Sequence, residues 1–128
     1  MQDWAMRPAD EFVTHCLELL APLGAARARR MFGGHGIYVD DLFIALIAFD
    51  RLYLKADAQT RARFEAAGCA PFVYDGQGRS VTMGYYTAPD DAMESPAYMQ
   101  PWGRLALEAA LRAKAAKKPA KRVRKPKT

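Results

Sequence analysis

Two histidines and two cysteines are the residues of this chain best suited to nucleophilic, acid–base or metal chemistry, and their placement gives them little to work with. A nucleophilic mechanism needs a Cys or Ser within reach of a His and a third group that orients the base. His15 falls off the apolar stripe of a helix, where it is expected to be solvated. His35 falls in a glycine-rich loop, and neither has an evident partner. Cys16 and Cys69 stand in no metal-ligand spacing with each other or with the histidines. The sequence therefore assigns no catalytic residue, no metal site and no cofactor, and predicts a protein that is not an enzyme.

A second kind of chemistry is anion binding. Gly33, Gly34 and Gly36 flank His35, and successive glycines let backbone N–H groups converge on a phosphate. Arg29 and Arg30 stand beside this loop with guanidinium forks that fit phosphate or carboxylate. Together these residues define a weak ligand- or partner-binding set, and the alternative function of a small anionic-ligand-binding or catalytic domain. Against it, Ile37, Tyr38 and Val39 continue as a strand and not as a helix, so the glycines equally serve a tight turn or bulge that needs positive φ. The arginines equally pair with Asp40, Asp41 or Asp50.

The third feature is charge. The nine basic residues Arg112, Lys114, Lys117, Lys118, Lys121, Arg122, Arg124, Lys125 and Lys127 meet no acid after position 111. Nineteen basic residues less these nine leave ten against fourteen acidic ones, so the body carries about −4 and the C-terminal segment +9. Such a segment binds polyanions by releasing counterions from each neutralised phosphate. It has no aromatic, Asn or Gln to read base edges, which predicts non-specific nucleic-acid association through Lys114, Lys117, Lys118, Lys121, Arg122, Arg124, Lys125 and Lys127. The competing reading is a solubilising terminus. Tyr38, Tyr53, Phe72, Tyr74, Tyr85 and Tyr86 offer a further route, stacking of single-stranded bases. The net acidity of the body counts against that.

These residues need a scaffold. From Asp10 to Leu20, Phe12, Val13, Cys16, Leu17 and Leu20 recur at helical spacing, and Pro22 and Gly24 stop the helix. Extended stretches follow at Ala26–Phe32, at Gly36–Val39 joined to Leu42–Phe49, and at Leu52–Lys55, with Asp40-Asp41 and Asp50-Arg51 as turns. The run from Leu42 to Phe49 does not alternate, which predicts a central strand covered on both faces. Asp57 caps a second helix that ends at Gly68. Phe72–Tyr74 and Val81–Tyr86 form a hairpin, and a last helix opens at Pro101, with Pro96 also suited to a first helical position. Trp102, Leu105, Ala106, Ala109 and Ala113 line one face of it, while Leu107 and Leu111 stand on another that would meet more core or a second subunit in a homodimer. The order is α-β-β-β-α-β-β-α, an α+β fold with a mainly antiparallel five-stranded sheet and helices packed on it. The folded domain spans 1–113, and 114–128 is expected to be a disordered basic tail.

A chain of 128 residues has room for one such domain. It opens without a signal-peptide pattern, its longest apolar run is far below the roughly 20 residues of a membrane-spanning helix, and its two cysteines suit a reducing cytoplasm.

The motifs Arg-Arg-Met-Phe-Gly-Gly-His-Gly-Ile-Tyr (29–38), Phe-Ile-Ala-Leu-Ile (43–47), Leu-Tyr-Leu-Lys-Ala-Asp (52–57), Pro-Phe-Val-Tyr (71–74) and Met-Gly-Tyr-Tyr (83–86) occur in the order seen in one family. On them, residues 10 to 113 resemble the N-terminal domain of the TfoX/Sxy competence regulators, as a stand-alone single-domain member. The resemblance implies an α+β domain and a non-enzymatic regulatory or adaptor role in transcription of DNA-uptake genes. Its partner would be a protein, a transcription activator or the RNA polymerase complex.

Overall fold

A computed structural model describes residues 8–31, 33–76 and 79–124. The first helix, α1 (Pro8–Leu20), runs into a 3-10 turn at Ala21–Leu23. Four strands follow in succession, β1 (Ala26–Met31), β2 (Gly34–Val39), β3 (Leu42–Ala48) and β4 (Arg51–Lys55). A short helix α2 (Arg61–Ala66) leads to the hairpin β5 (Pro71–Gly76) and β6 (Arg79–Thr87). A 3-10 segment (Asp90–Glu94) then precedes the long helix α3 (Pro96–Arg124).

The sheet is antiparallel with six strands, in the order β1-β2-β3-β4-β6-β5, where five were expected. The extra strand comes from Asp40 and Asp41. Both take left-handed backbone, φ 51° and 68°, and so form the two-residue turn that splits Gly34–Ala48 into β2 and β3. Phe49 and Asp50 do the same between β3 and β4, at φ 54° and 58°, one residue before the expected turn.

β3 has the two covered faces its composition implied. Ile44, Ala45 and Ile47 face the main core under the helices, together with Ile37, Val39, Leu52 and Leu54. Phe43, Leu46 and Ala48 pack on the opposite face against Tyr53, Phe72 and Tyr85. The pairing of β2 with β3 shifts between Ile37↔Ala45 and Tyr38↔Phe43, so Ile44 is an extra residue. This bulge sends Ile44 and Ala45 to one side and delivers Phe43 to the other, opposite Tyr38.

The helices lie on one face of the sheet. Cys16, Leu19 and Leu20 of α1 and Met99, Leu105, Ala106 and Ala110 of α3 supply their share of the main core. Phe64 is α2's anchor, fully buried with its ring stacked on Tyr86 (5.5 Å between centroids) and tilted against Trp102 (5.3 Å). Gly68, at φ 81°, ends α2 as expected. α3 starts at Pro96 and not at Pro101. The Ser95 hydroxyl accepts the Ala97 N–H at 3.1 Å, which makes Ser95-Pro96 the cap and first residue.

α3 also continues past residue 113, through the boundary drawn between domain and tail, to Arg124. The absence of core-forming residues after Ala116 predicts no burial, but helix propensity does not depend on burial. Residues 104–118 are almost all Ala, Leu, Arg, Lys and Glu, the best helix formers. Among the described residues no helix is long and apolar enough to cross a membrane.

Candidate functional site

The glycine loop resolves into a hairpin. Gly33 occupies its turn at φ 76°, while Gly34, His35 and Gly36 are already strand β2. Each strand glycine has a steric task. A Cβ on Gly34 would overlap the Ile47 carbonyl oxygen, and one on Gly36 would meet the Phe43 ring and the Met31 side chain. Arg29 pairs with Gly36 and Arg30 with His35 across β1 and β2. Neighbouring residues of a strand point to opposite faces, so Arg29 and Arg30 do not converge. Arg29 shares the face of Tyr38, and Arg30 and His35 share the margin of the helical face. The expected salt partner of this region is found one turn away, where Arg27 meets Asp41 at 3.1 Å.

The other histidine is not free in solvent. His15 Nε2 lies 2.6 Å from the Met93 carbonyl oxygen, a bond that ties α1 to the 3-10 segment before α3. Cys16 is fully buried, and burial pushes its thiol up to about 12, so it is a core residue and not a nucleophile. Cys69 is half-buried, with its thiol raised by the same cause. Among the described residues no group of three His, Cys, Asp or Glu side chains could hold a metal ion.

A cavity of about 310 Å³ opens at the end of β4, lined by Phe12, Leu52, Ala88 and Met93 with Asp50, Arg51, Thr87 and Asp90 at its polar rim. It contains neither a histidine nor a thiol. None of the expected site residues reaches it, and its lining comes from four separate elements, which is why no local motif announced it.

The face of the sheet away from the helices carries a second, smaller apolar cluster. Tyr53, Phe72 and Tyr85 form its floor, with Phe43, Leu46 and Ala48 packed against them. Ring contacts run Tyr38–Phe43 (5.2 Å) and Phe43–Tyr85 (6.0 Å), then Tyr53–Phe72 (4.9 Å) and Phe72–Phe49 (6.5 Å). Four of the six aromatics singled out in the sequence meet here. Tyr86 faces the helices, where its hydroxyl donates to Glu65 at 2.8 Å, and Tyr74 has only its backbone described. Phe49, which the sequence did not mark, is 80% exposed at the hairpin tip.

Cations border this face. The Arg27 guanidinium lies over the Tyr38 ring at 4.9 Å and the Lys55 ammonium over Tyr85 at 5.3 Å. Arg29 is exposed on the same face. The acids are spread over both layers, with Glu11 and Glu18 on α1, Glu65 on α2, Asp90, Asp91 and Glu94 before α3 and Glu108 on α3, and with Asp40, Asp41 and Asp50 in hairpin turns of the sheet and Asp75 on β5.

Lys114 and Lys117 are exposed on α3 beyond Arg112, the last side chain of that helix with an ion-pair partner among the described residues. Lys118, Lys121, Arg122 and Arg124 follow on its described backbone, while Lys125 and Lys127 lie outside the described residues.

Comparison with known proteins bears on this arrangement. Residues 18–110 match the TfoX N-terminal domain. The chain is similar to the DNA transformation protein TfoX1 of Aliivibrio fischeri, 32% identical over 75 residues that cover 59% of this chain and 36% of that protein. It is also similar to the protein Sxy of Escherichia coli K12, 29% identical over 107 residues that cover 84% of this chain and 51% of Sxy. It thus spans about half the length of one curated relative and about a third of the other.

Proposed function

We propose a regulatory role from one premise: this chain belongs to the TfoX N-terminal domain family. It is a non-enzymatic adaptor of the competence-regulator kind, acting in the cytoplasm on a protein partner such as a transcription activator or the RNA polymerase complex. The segment 114–128 adds non-specific residence on nucleic acid. Tethering of this kind raises local concentration at the DNA without adding a specific contact. A relative whose name records DNA transformation supports the regulatory half of the reading.

The observation that carries the nucleic-acid half is positional. The cations of the C-terminal segment begin at Arg112, which makes the last ion pair of α3 with the body among the described residues, and the next two, Lys114 and Lys117, are exposed. The glycine-loop alternative loses support because Arg29 and Arg30 stand on opposite faces and the strand glycines have packing tasks.

The test is duplex-DNA binding by the full chain against a full-length variant with the eight cations from Lys114 to Lys127 changed to Gln. With about six phosphate contacts, wild-type affinity falls roughly a thousandfold between about 50 and 200 mM salt. The variant is expected to bind weakly and to show a flat salt response. Equal affinity and equal salt slope for the two proteins would remove the tail from the reading. Capture of partners from nuclease-treated extract then separates direct protein contacts from those bridged by nucleic acid.

A further inference from the structure

We propose that the part of α3 beyond Arg112 is a one-sided cationic helix that lies in a groove of duplex nucleic acid, an inference that rests on the nucleic-acid role proposed for this segment. The helix runs on from the body as far as Arg124. Ala110 is its last residue in the main core among the described residues. Every side chain from Ala113 to Lys117 is exposed, so α3 has left the body by that point. The projecting part measures about 18 Å at the helical rise of about 1.5 Å per residue.

Helical phase sorts this stretch by charge. At about 3.6 residues per turn, Lys114, Lys117, Lys118, Lys121, Arg122 and Arg124 fall within one arc of about 160° around the helix. Ala113, Ala115, Ala116, Pro119, Ala120 and Val123 fill the rest of the circle. In an extended chain the same cations would occupy both odd and even positions and so both sides, which means that the separation exists only in the helix. It comes at a cost, because like charges three and four residues apart on a helix repel, as in Lys114 with Lys117 and Lys118, or Lys117 with Lys121. A polyanion along the arc removes that repulsion.

The arrangement selects its occupant. No acid follows Glu108, so no carboxylate of this stretch neutralises the arc. A helix about 10–12 Å across fits a duplex major groove about 12 Å wide, and cations spread to both sides of its axis face the phosphates of both walls. A single strand offers one line of phosphates and engages only part of such an arc at a time. A bilayer surface is disfavoured, because the neutral arc holds Ala, Pro and Val where an interfacial helix needs Trp, Phe or Leu.

The experiment measures binding of a labelled mixed-sequence duplex and of a labelled oligothymidylate by full-length proteins. They are the wild type, the variant with the eight cations from Lys114 to Lys127 changed to Gln, and a rearranged variant carrying Ala116→Lys, Lys117→Ala, Ala120→Lys and Lys121→Ala. The rearranged protein keeps the composition, the net charge and the good helix formers of the wild type. Its changes lie beyond Ala110, and its cations stand all round the helix. Equal helical content by circular dichroism shows that only the direction of the charge has changed. The rearranged protein should hold the duplex about tenfold less tightly than wild type, the equivalent of about one phosphate contact at about 0.1 M salt, with a shallower salt slope. Its hold on the flexible oligothymidylate should match that of wild type. Equal duplex affinity and salt slope for these two proteins, with the Gln variant weak, would overturn the cationic face and leave the tail reading standing. Duplex binding by the Gln variant equal to wild type would overturn the tail reading itself. Equal losses on duplex and single strand, or transfer of wild type from the duplex to phosphatidylserine vesicles at matched charge, would remove the duplex as the occupant.

Discussion

Arg112 closes a two-point hydrogen bond on Asp57, with Nε 2.7 Å from Oδ2 and Nη2 3.0 Å from Oδ1. The pair spans 55 residues of sequence and fastens α3 to the turn that precedes α2. Asp57 is itself organised by that turn, since Oδ1 accepts the N–H groups of Gln59 (3.0 Å) and Thr60 (3.3 Å). The Arg112 guanidinium holds the Asp57 carboxyl below its ordinary range, with the two backbone N–H groups adding to the effect against a smaller desolvation.

A carboxylate with a depressed folded-state pKa contributes stability that is fully present above its unfolded value, about 3.9, and is lost as pH falls through the folded one. Arg112→Ala is therefore expected to melt at a lower temperature than wild type at pH 7. The gap should close as pH is lowered below about 4. Melting curves across that range check it, and a gap independent of pH would assign the loss to packing of the arginine stem. The pair is about one-third exposed, so the effect is modest.

Gly33 and Gly34 predict opposite outcomes for the same substitution. An alanine Cβ at Gly33 meets nothing within 4 Å, so Gly33→Ala costs only the left-handed backbone penalty, about 1–2 kcal/mol. At Gly34 the same atom overlaps the Ile47 carbonyl, and β2 and β3 must separate. Gly34→Ala should lose more than about 3 kcal/mol or fail to fold, in line with other overpacked sites. Denaturant unfolding of both proteins decides it. Inorganic phosphate should stabilise neither variant differently from wild type, since the glycines serve the hairpin.

Phe49→Asn is expected to be neutral to stabilising, by up to about 1 kcal/mol, because Asn accepts positive φ and the ring buries little. A loss greater than about 1 kcal/mol would mean that the Phe49–Phe72 contact outweighs the backbone strain. The measurement is a thermal or urea midpoint.

The two thiols should separate under alkylation. Cys69 is half-buried and should modify slowly near pH 8 and faster as pH rises toward its elevated value. Cys16, fully buried and raised to about 12, should modify only on unfolding. Peptide mass mapping after timed iodoacetamide treatment distinguishes them, and equal labelling of both would show that α1 opens readily.

Much of the scaffold was legible because side-chain type and backbone requirement coincide. Gly68 ends α2 where a left-handed residue is needed, and the apolar stripe of α1 placed Cys16 in the core. Asp40 and Asp41 were recognisable as turn residues, but without a glycine they did not read as a full strand break, and two strands looked like one. The bulge at Ile44 leaves no local mark, since Ile, Ala and Phe suit either face. His15 was misread because its acceptor, the Met93 carbonyl, lies 78 residues away.

The position of β6 has a consequence for how the chain reaches this state. β1 to β4 form a local meander, yet the free edge of β4 is closed by Tyr85, Tyr86 and Thr87, some thirty residues later. During synthesis that edge stands open with its amide groups unpaired until the second hairpin emerges from the ribosome. The slow, loop-closing step and the window for edge-to-edge self-association therefore coincide at β4, and conditions that delay arrival of residues 79–87 should favour aggregation over completion of the sheet.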